Sequence, residues 1–258
     1  KIEVKREKDN ENQKDIIYSY PFDKETMVEG KNLLESESSS TGKEVVLKSI
    51  LYIGNDYIST ERIDKAPKNT SKLQVFPVDN IEKGIPVKIS DLAGENGKNA
   101  LNEGFNKNLL NNGDKSEYMN IQLDEENFGL FRRNGHWIMK GRINFIEDNR
   151  SSYSDFDIKT IPPKEMVNYD ELCLPWNEIK LKVPEAVDAY TSPNKDMAII
   201  IANNNILVYF INNGELSKEP ARRIKLRDGE SVVMSEWATG KYIYRWDEEF
   251  LKNKAIEI

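Results

Sequence analysis

The residue types that most often carry chemistry are scarce in this chain. His136 is its one histidine and Cys173 its one cysteine. A Ser-His-Asp triad would have to use His136, and a metal site built on several histidines is excluded. His136 follows Asn134-Gly135 and precedes Trp137, so its ring is expected to flank a turn. Cys173 stands between Leu172 and Leu174, a setting for a small buried side chain more than for a nucleophile. Carboxylates are plentiful. Asp124-Glu125-Glu126 and Asp247-Glu248-Glu249 read as solvated surface, while Asp148, Asp155 and Asp157 share a loop that could offer oxygens to Ca²⁺. Neither that loop nor Asp91-Leu92-Ala93-Gly94-Glu95 has the spacing of an EF-hand. Gly94-Glu95-Asn96-Gly97-Lys98 lacks the length and the Ser/Thr of a phosphate loop. Acid/base chemistry of the glycosidase kind needs two carboxylates about 5–9 Å apart, which spacing along a chain does not test. Catalytic residues are therefore unassigned, and no metal or cofactor is expected.

Aromatic side chains supply the other candidate. Trp237, Tyr242, Tyr244 and Trp246 cluster late in the chain. Read as a strand, Tyr242, Tyr244 and Trp246 share one face and Ile243 points the other way. With Arg222, Arg223 and Arg245 as a polar rim, such a face would suit a sugar or a protein partner if exposed, and would pack sheets if buried.

Composition narrows the class. The 258 residues are 38% hydrophobic and 31% charged, with a net charge of -7. That balance opposes general nucleic-acid affinity, which needs a dense cationic patch. Apolar runs such as Met197-Ala202 and Ile206-Ile211 are strand-sized, well short of the roughly 18 residues of a membrane helix. Residues 1–15 are almost wholly polar and the chain starts at Lys1. This pattern is expected of a polar leader or tether ahead of a single β-rich domain, 16–258. It fits a protein secreted or held in the cell envelope, with a lipid anchor conceivable before Lys1.

Strand-like segments dominate the remainder. Ile16-Phe22, Val45-Ile53, Tyr57-Ile63 and Leu73-Val78 are the first of them, with Ile85-Leu92 next. Phe128-Phe131 and His136-Met139 flank Asn134-Gly135, a strong hairpin signal. Leu101, Phe105 and Leu109 recur every four residues and predict a short helix over 98–112, and Pro163 could open a second over 163–172. Further strands are expected at Met197-Ala202, Asn205-Ile211, Arg222-Leu226, Ser231-Ser235 and Lys241-Trp246.

Three stretches repeat a strand-turn-strand order, and Val75, Ile143 and Val208 stand at similar places 68 and 65 residues apart. The stretch Tyr190-Thr191-Ser192-Pro193-Asn194-Lys195-Asp196-Met197 resembles the opening of a β-propeller blade, and the resemblance runs over residues 190–246. It implies an all-β fold, a small propeller-like ring of four-stranded sheets with short helical insertions, binding on its loop faces. Ile16-Phe22 would then complete the sheet containing 241–246 and close the ring. Two packed β domains are the alternative. The functional expectation is a non-enzymatic binding or scaffold module of a bacterial-type cell envelope with a protein or glycan partner. Its alternative is a carbohydrate-active or other hydrolytic enzyme using Asp and Glu.

Overall fold

A computed structural model describes residues 2–9, 12–19, 31–33, 45–66, 69–112, 117–118, 123–147, 150–168 and 170–252. These divide into two compact units. The first comprises Lys1–Phe131 and Trp137–Val167, and the second Arg132–His136 and Asn168–Ile258.

Two sheets and a helix make the first unit. Its larger sheet holds β1 (Ile2–Asp9), β2 (Asn12–Ser19), β3 (Lys31–Leu33), β4 (Val45–Ile53), β5 (Tyr57–Ala66) and β6 (Thr70–Pro77). The order is β1-β2-β4-β5-β6, with β3 also on β2. Only β2 and β4 pair in parallel. Charge complementarity explains why so polar a start forms strands: Arg6 stands opposite Asp15 and Glu7 opposite Lys14. A helix α1 (Ile89–Asn112) follows, broken at Gly94, whose φ is 57° and ψ -155°. It therefore begins earlier than the helix expected over 98–112, and the strand expected at Ile85-Leu92 is not formed: residues 89–92 are helical and 85–88 belong to no element. The second sheet holds β7 (Glu117–Tyr118), β8 (Phe128–Arg133), β9 (His136–Glu147) and β10 (Arg150–Ile158). Its order is β10-β9-β7, with β8 on β9.

Leu101 and Phe105 of α1 are buried in one cluster with Val75, Phe128, Leu130, Trp137, Met139 and Phe156. Each large side chain so buried contributes about 1.5–3 kcal/mol relative to exposure. Polar contacts join the two sheets. Asn144 accepts from the Ser71 amide and donates to the Ser71 carbonyl, both at 2.8 Å. Asn127 accepts from the Leu73 amide and donates to the Arg142 carbonyl, both at 2.9 Å. Backbone groups of β6 that would otherwise face an open edge are thus satisfied.

The second unit is a single sheet with a helix on one face. It contains α2 (Trp176–Lys182), β11 (Ala186–Thr191), β12 (Met197–Ala202), β13 (Asn205–Asn212), β14 (Glu215–Leu216), β15 (Arg222–Lys225) and α3 (Tyr242–Lys252). The order is β11-β12-β13-β14, with β15 also on β13. Asn203-Asn204 and Asn213-Gly214 all have positive φ, the conformation of a tight hairpin turn whose twist matches its strands. Ile179 and Val183 pack with Ala189, Ile200, Leu207 and Tyr209 in this unit's core.

The propeller-like ring is overturned. In place of radial four-stranded sheets the described residues form three separate sheets of six, four and five strands, and the arrangement is closer to the alternative of two β domains. Val75, Ile143 and Val208 lie one in each sheet, but Val75 and Ile143 are buried in a shared cluster and Val208 is half-buried in another unit, so they are not repeats of one position. Ring closure fails too: Ile16 and Ile17 pair with β1, whereas residues 242–252 are helical. Tyr20 to Phe22 lie outside the described residues. Residues 231–239 form no strand, and within the helix expected over 163–172 residues 164–166 form a turn, Tyr169 lying outside the described residues.

Asn144→Asp should destabilise the protein by about 1–3 kcal/mol in urea unfolding, because a carboxylate cannot donate to the buried Ser71 carbonyl. Asp15 gives a pH test. Burial opposes its ionisation, but the Arg6 guanidinium and the Lys48 amide outweigh that and hold the carboxyl below the usual carboxylate range. Its stabilisation is present above the unfolded pKa and lost as pH falls through the lower folded value. Asp15→Asn should therefore be less stable than wild type at neutral pH, with the gap closing below about pH 4.

Candidate functional site

A recess lies in the first unit, between α1 and β10. It is an open groove of about 380 Å³, within the range of about 300–1,000 Å³ usual for small-molecule sites. Helical spacing places Glu103, Lys107 and Asn111 along one wall, since residues four apart share a face. Asp155, Phe156 and Asp157 of β10 and Lys159 just after it line the other wall, with Phe156 turned into the core at 8% exposure. Two contacts hold the walls together. Asn108 donates to Ser154 at 3.0 Å, and the rings of Phe105 and Phe156 meet edge-on at 6.3 Å. Gly104 permits the approach: a β-carbon there would lie 2.7 Å from both the Asp157 carbonyl and the Phe156 ring.

An arginine holds one carboxylate of the groove. Asp155 receives both Nε and Nη2 of Arg142, at 2.6 and 3.0 Å. Arg142 also donates to Glu61 and Ser71, and its guanidinium stacks 3.8 Å from the Tyr153 ring centre. Burial would lower the Arg142 pKa, but Asp155 and Glu61 raise it, so the cation is permanent. The interior beside it leaves only about 20 Å³, room for one water molecule. Glu103 and Asp157 are the groove's other carboxylates, one on each wall.

A second charged cluster belongs to the second unit. Arg132 donates to Asp188 at 2.8 and 3.0 Å, to Asp170 at 2.7 Å and to the Ala189 carbonyl at 2.8 Å. Its guanidinium lies 4.2 Å from the Tyr190 ring centre. Burial and then the Asp188 charge push the Tyr190 phenol upward, so it stays neutral. Asp188 also accepts from the Gly135 amide at 2.9 Å. This is a clamp on the Asn134-Gly135 turn, with its groups already engaged. His136 flanks that turn as expected, exposed, its Nδ1 3.0 Å from the Asp170 carbonyl. Cys173 is half-buried against the unit's core and its amide donates to Thr191. Among the described residues no group of three or more His, Cys, Asp or Glu could hold a metal ion. Asp148 lies outside the described residues.

The aromatic set is rearranged. Tyr242, Tyr244, Arg245 and Trp246 sit on α3, not on a strand, so Tyr242 and Tyr244 point to different sides of the helix. Both are well exposed, and Trp237 and Trp246 are half-buried. Arg222 and Arg223 lie on β15 and face opposite sides of its sheet, since Arg222 pairs with Val208 and Arg223 with Leu207. The flat aromatic platform is therefore not formed as a strand face. The groove residues Glu103, Lys107 and Asn111 were missed as a site. Their signal was the polar side of a helix whose apolar side was recognised.

Gly104→Val should push β10 from α1 and cost about 1–3 kcal/mol, read as a lowered urea midpoint, since overpacking against backbone has no flexible side chain to absorb it. No protein-family model matches this chain, and no curated protein or solved structure matches it either.

Proposed function

We propose that the chain is a binding module that holds a polyhydroxylated ligand, a segment of glycan, in the groove between α1 and β10. The observation that carries this reading is the lining of that groove. Lys107, Asn111 and Lys159 offer donors, while Glu103, Asn111 and Asp157 offer acceptors. Sugar hydroxyls both donate and accept, so a mixed lining without one dominant charge suits them. The groove is open, as a site for part of a longer chain must be. No described helix is long and apolar enough to cross a membrane. A place in the cell envelope or outside the cell is part of this proposal, since glycan chains are abundant there.

Glu103 and Asp157 favour a second reading. Both line the same open groove, and hydrolysis would need one as acid and the other as base or nucleophile.

Two measurements on the full chain decide between the readings. A glycan array followed by calorimetry should find a ligand, and Lys107→Ala and Asn111→Ala should each weaken it roughly 2–10-fold, the worth of one hydrogen bond. Both residues are exposed on α1, so neither change threatens the fold. Prolonged incubation with that glycan should leave it intact. Release of shorter products, abolished by Glu103→Gln or Asp157→Asn, would establish hydrolysis in place of binding alone. Unchanged affinity in both Lys107→Ala and Asn111→Ala would remove the groove from consideration.

A further inference from the structure

Helix α3 is amphipathic and has no buried residue. Tyr242, Trp246 and Phe250 follow one another at four-residue spacing with Ile243 beside them, forming one apolar arc. Tyr242 and Ile243 are each 50% exposed and Phe250 is 56% exposed. None of the three belongs to any of the buried clusters. An apolar face of this kind is unusual unless something covers it.

The same unit carries a second such face. In the β12–β13 pair, Met197 stands opposite Phe210, Ile199 opposite Val208, and Ile201 opposite Ile206. These six residues share the side of the sheet away from Ala198, Ile200, Leu207 and Tyr209, which pack with α2 in the core. Ile224 and Arg222 of β15 extend the apolar side, paired with Ile206 and Val208. Phe210 is 55% exposed and the other five are half-buried, and none of the six joins a buried cluster.

We infer that α3 of one copy packs on the β12–β13–β15 face of a second copy, and that the two copies exchange these helices about a two-fold axis. Charge selects this partner. Asp247 and Glu249 flank the apolar arc of α3 on its two sides. Glu249 is held by Lys252 at 2.8 Å, which leaves Asp247 at the other edge of the arc without a cation of its own helix beside it, and the sheet face presents the cation Arg222 to it. On α3 three acids outnumber the two cations Arg245 and Lys252, and with a chain charge of -7 this opposes an anionic lipid surface. Size selects exchange. Eleven residues make a helix about 16 Å long, and one such contact is short of the roughly 1,200 Å² of a stable interface. A two-fold operator doubles it, because each copy supplies one helix and one face.

Sedimentation velocity of the full chain over a micromolar-to-millimolar series tests the proposal. Wild type should pass from monomer to dimer. Phe250→Glu, on the exposed helix, and Val208→Glu, on the sheet face, should each shift the midpoint to at least tenfold higher concentration, with unchanged circular dichroism. An equimolar mixture of the two variants should associate more readily than either alone, because one intact helix then meets one intact face. Dimerisation insensitive to Val208→Glu would mean helix-to-helix pairing and would overturn the inference. So would a wild type that stays monomeric throughout, whether α3 docks within its own chain or binds phosphatidylglycerol vesicles in a flotation assay. Should Val208→Glu misfold, Phe210→Glu, at a more exposed position of the same face, takes its place with the same expected shift.

Discussion

A strand at the border of a sheet leaves a row of amides and carbonyls that must find partners, and the first unit is organised around meeting that demand at β6. No further strand is added. Asn144 pairs with both backbone groups of Ser71, Asn127 takes the Leu73 amide, and the Val87 amide donates to the Val75 carbonyl at 2.8 Å. Side-chain amides thereby take the place of a strand and fix the distance between the two sheets. Arg142 lies beside them, and its bonds to Glu61 on β5 and Asp155 on β10 carry the linkage across four strands. β10 is in turn the wall against which α1 settles at Gly104. The groove inherits its width from this chain of contacts.

Buried charge at Arg142 is expensive to desolvate, and the geometry shows how that cost is offset. Two carboxylates, a hydroxyl and a ring surround the guanidinium. Arg132 meets the same problem in the second unit with Asp188, Asp170 and Tyr190. In both places the carboxylates serve the arginine, which leaves them poor candidates for proton transfer.

Local rules read well here where local chemistry decided the outcome. Asn134-Gly135, Asn203-Asn204 and Asn213-Gly214 made their turns because Asn and Gly tolerate positive φ. Leu101, Phe105 and Leu109 announced their helix. Where two periods fitted one segment, the wrong one was chosen: Tyr242, Tyr244 and Trp246 alternate like a strand, but Trp246 and Phe250 at four-residue spacing, with Glu249 bonded to Lys252 at 2.8 Å, belong to a helix. α2 escaped notice because its signal is a proline on either side, Pro175 before it and Pro184 after, around a single buried Ile179. β1 was hidden by charges that only make sense opposite those of β2. The candidate site was half legible: Asp155 and Asp157 were marked as acids, and α1 as a helix, but nothing in their spacing says that residues some fifty positions apart share a groove. That knowledge resides in a glycine that lets two backbones meet.

The asparagine stitch also has a temporal side. Strands β11, β12 and β13 are successive hairpins, so the second unit closes through short loops, and such topologies fold fast. The first unit must bring Asn144 to Ser71, 73 residues away, before the edge of β6 is satisfied. During synthesis the chain emerges from its N-terminus, so β6 leaves the ribosome well before its partners do. For that interval a strand carrying Leu73, Val75 and Phe76 stands with its edge bare, and this is the stage at which the nascent protein is most open to aggregation and most in need of a chaperone.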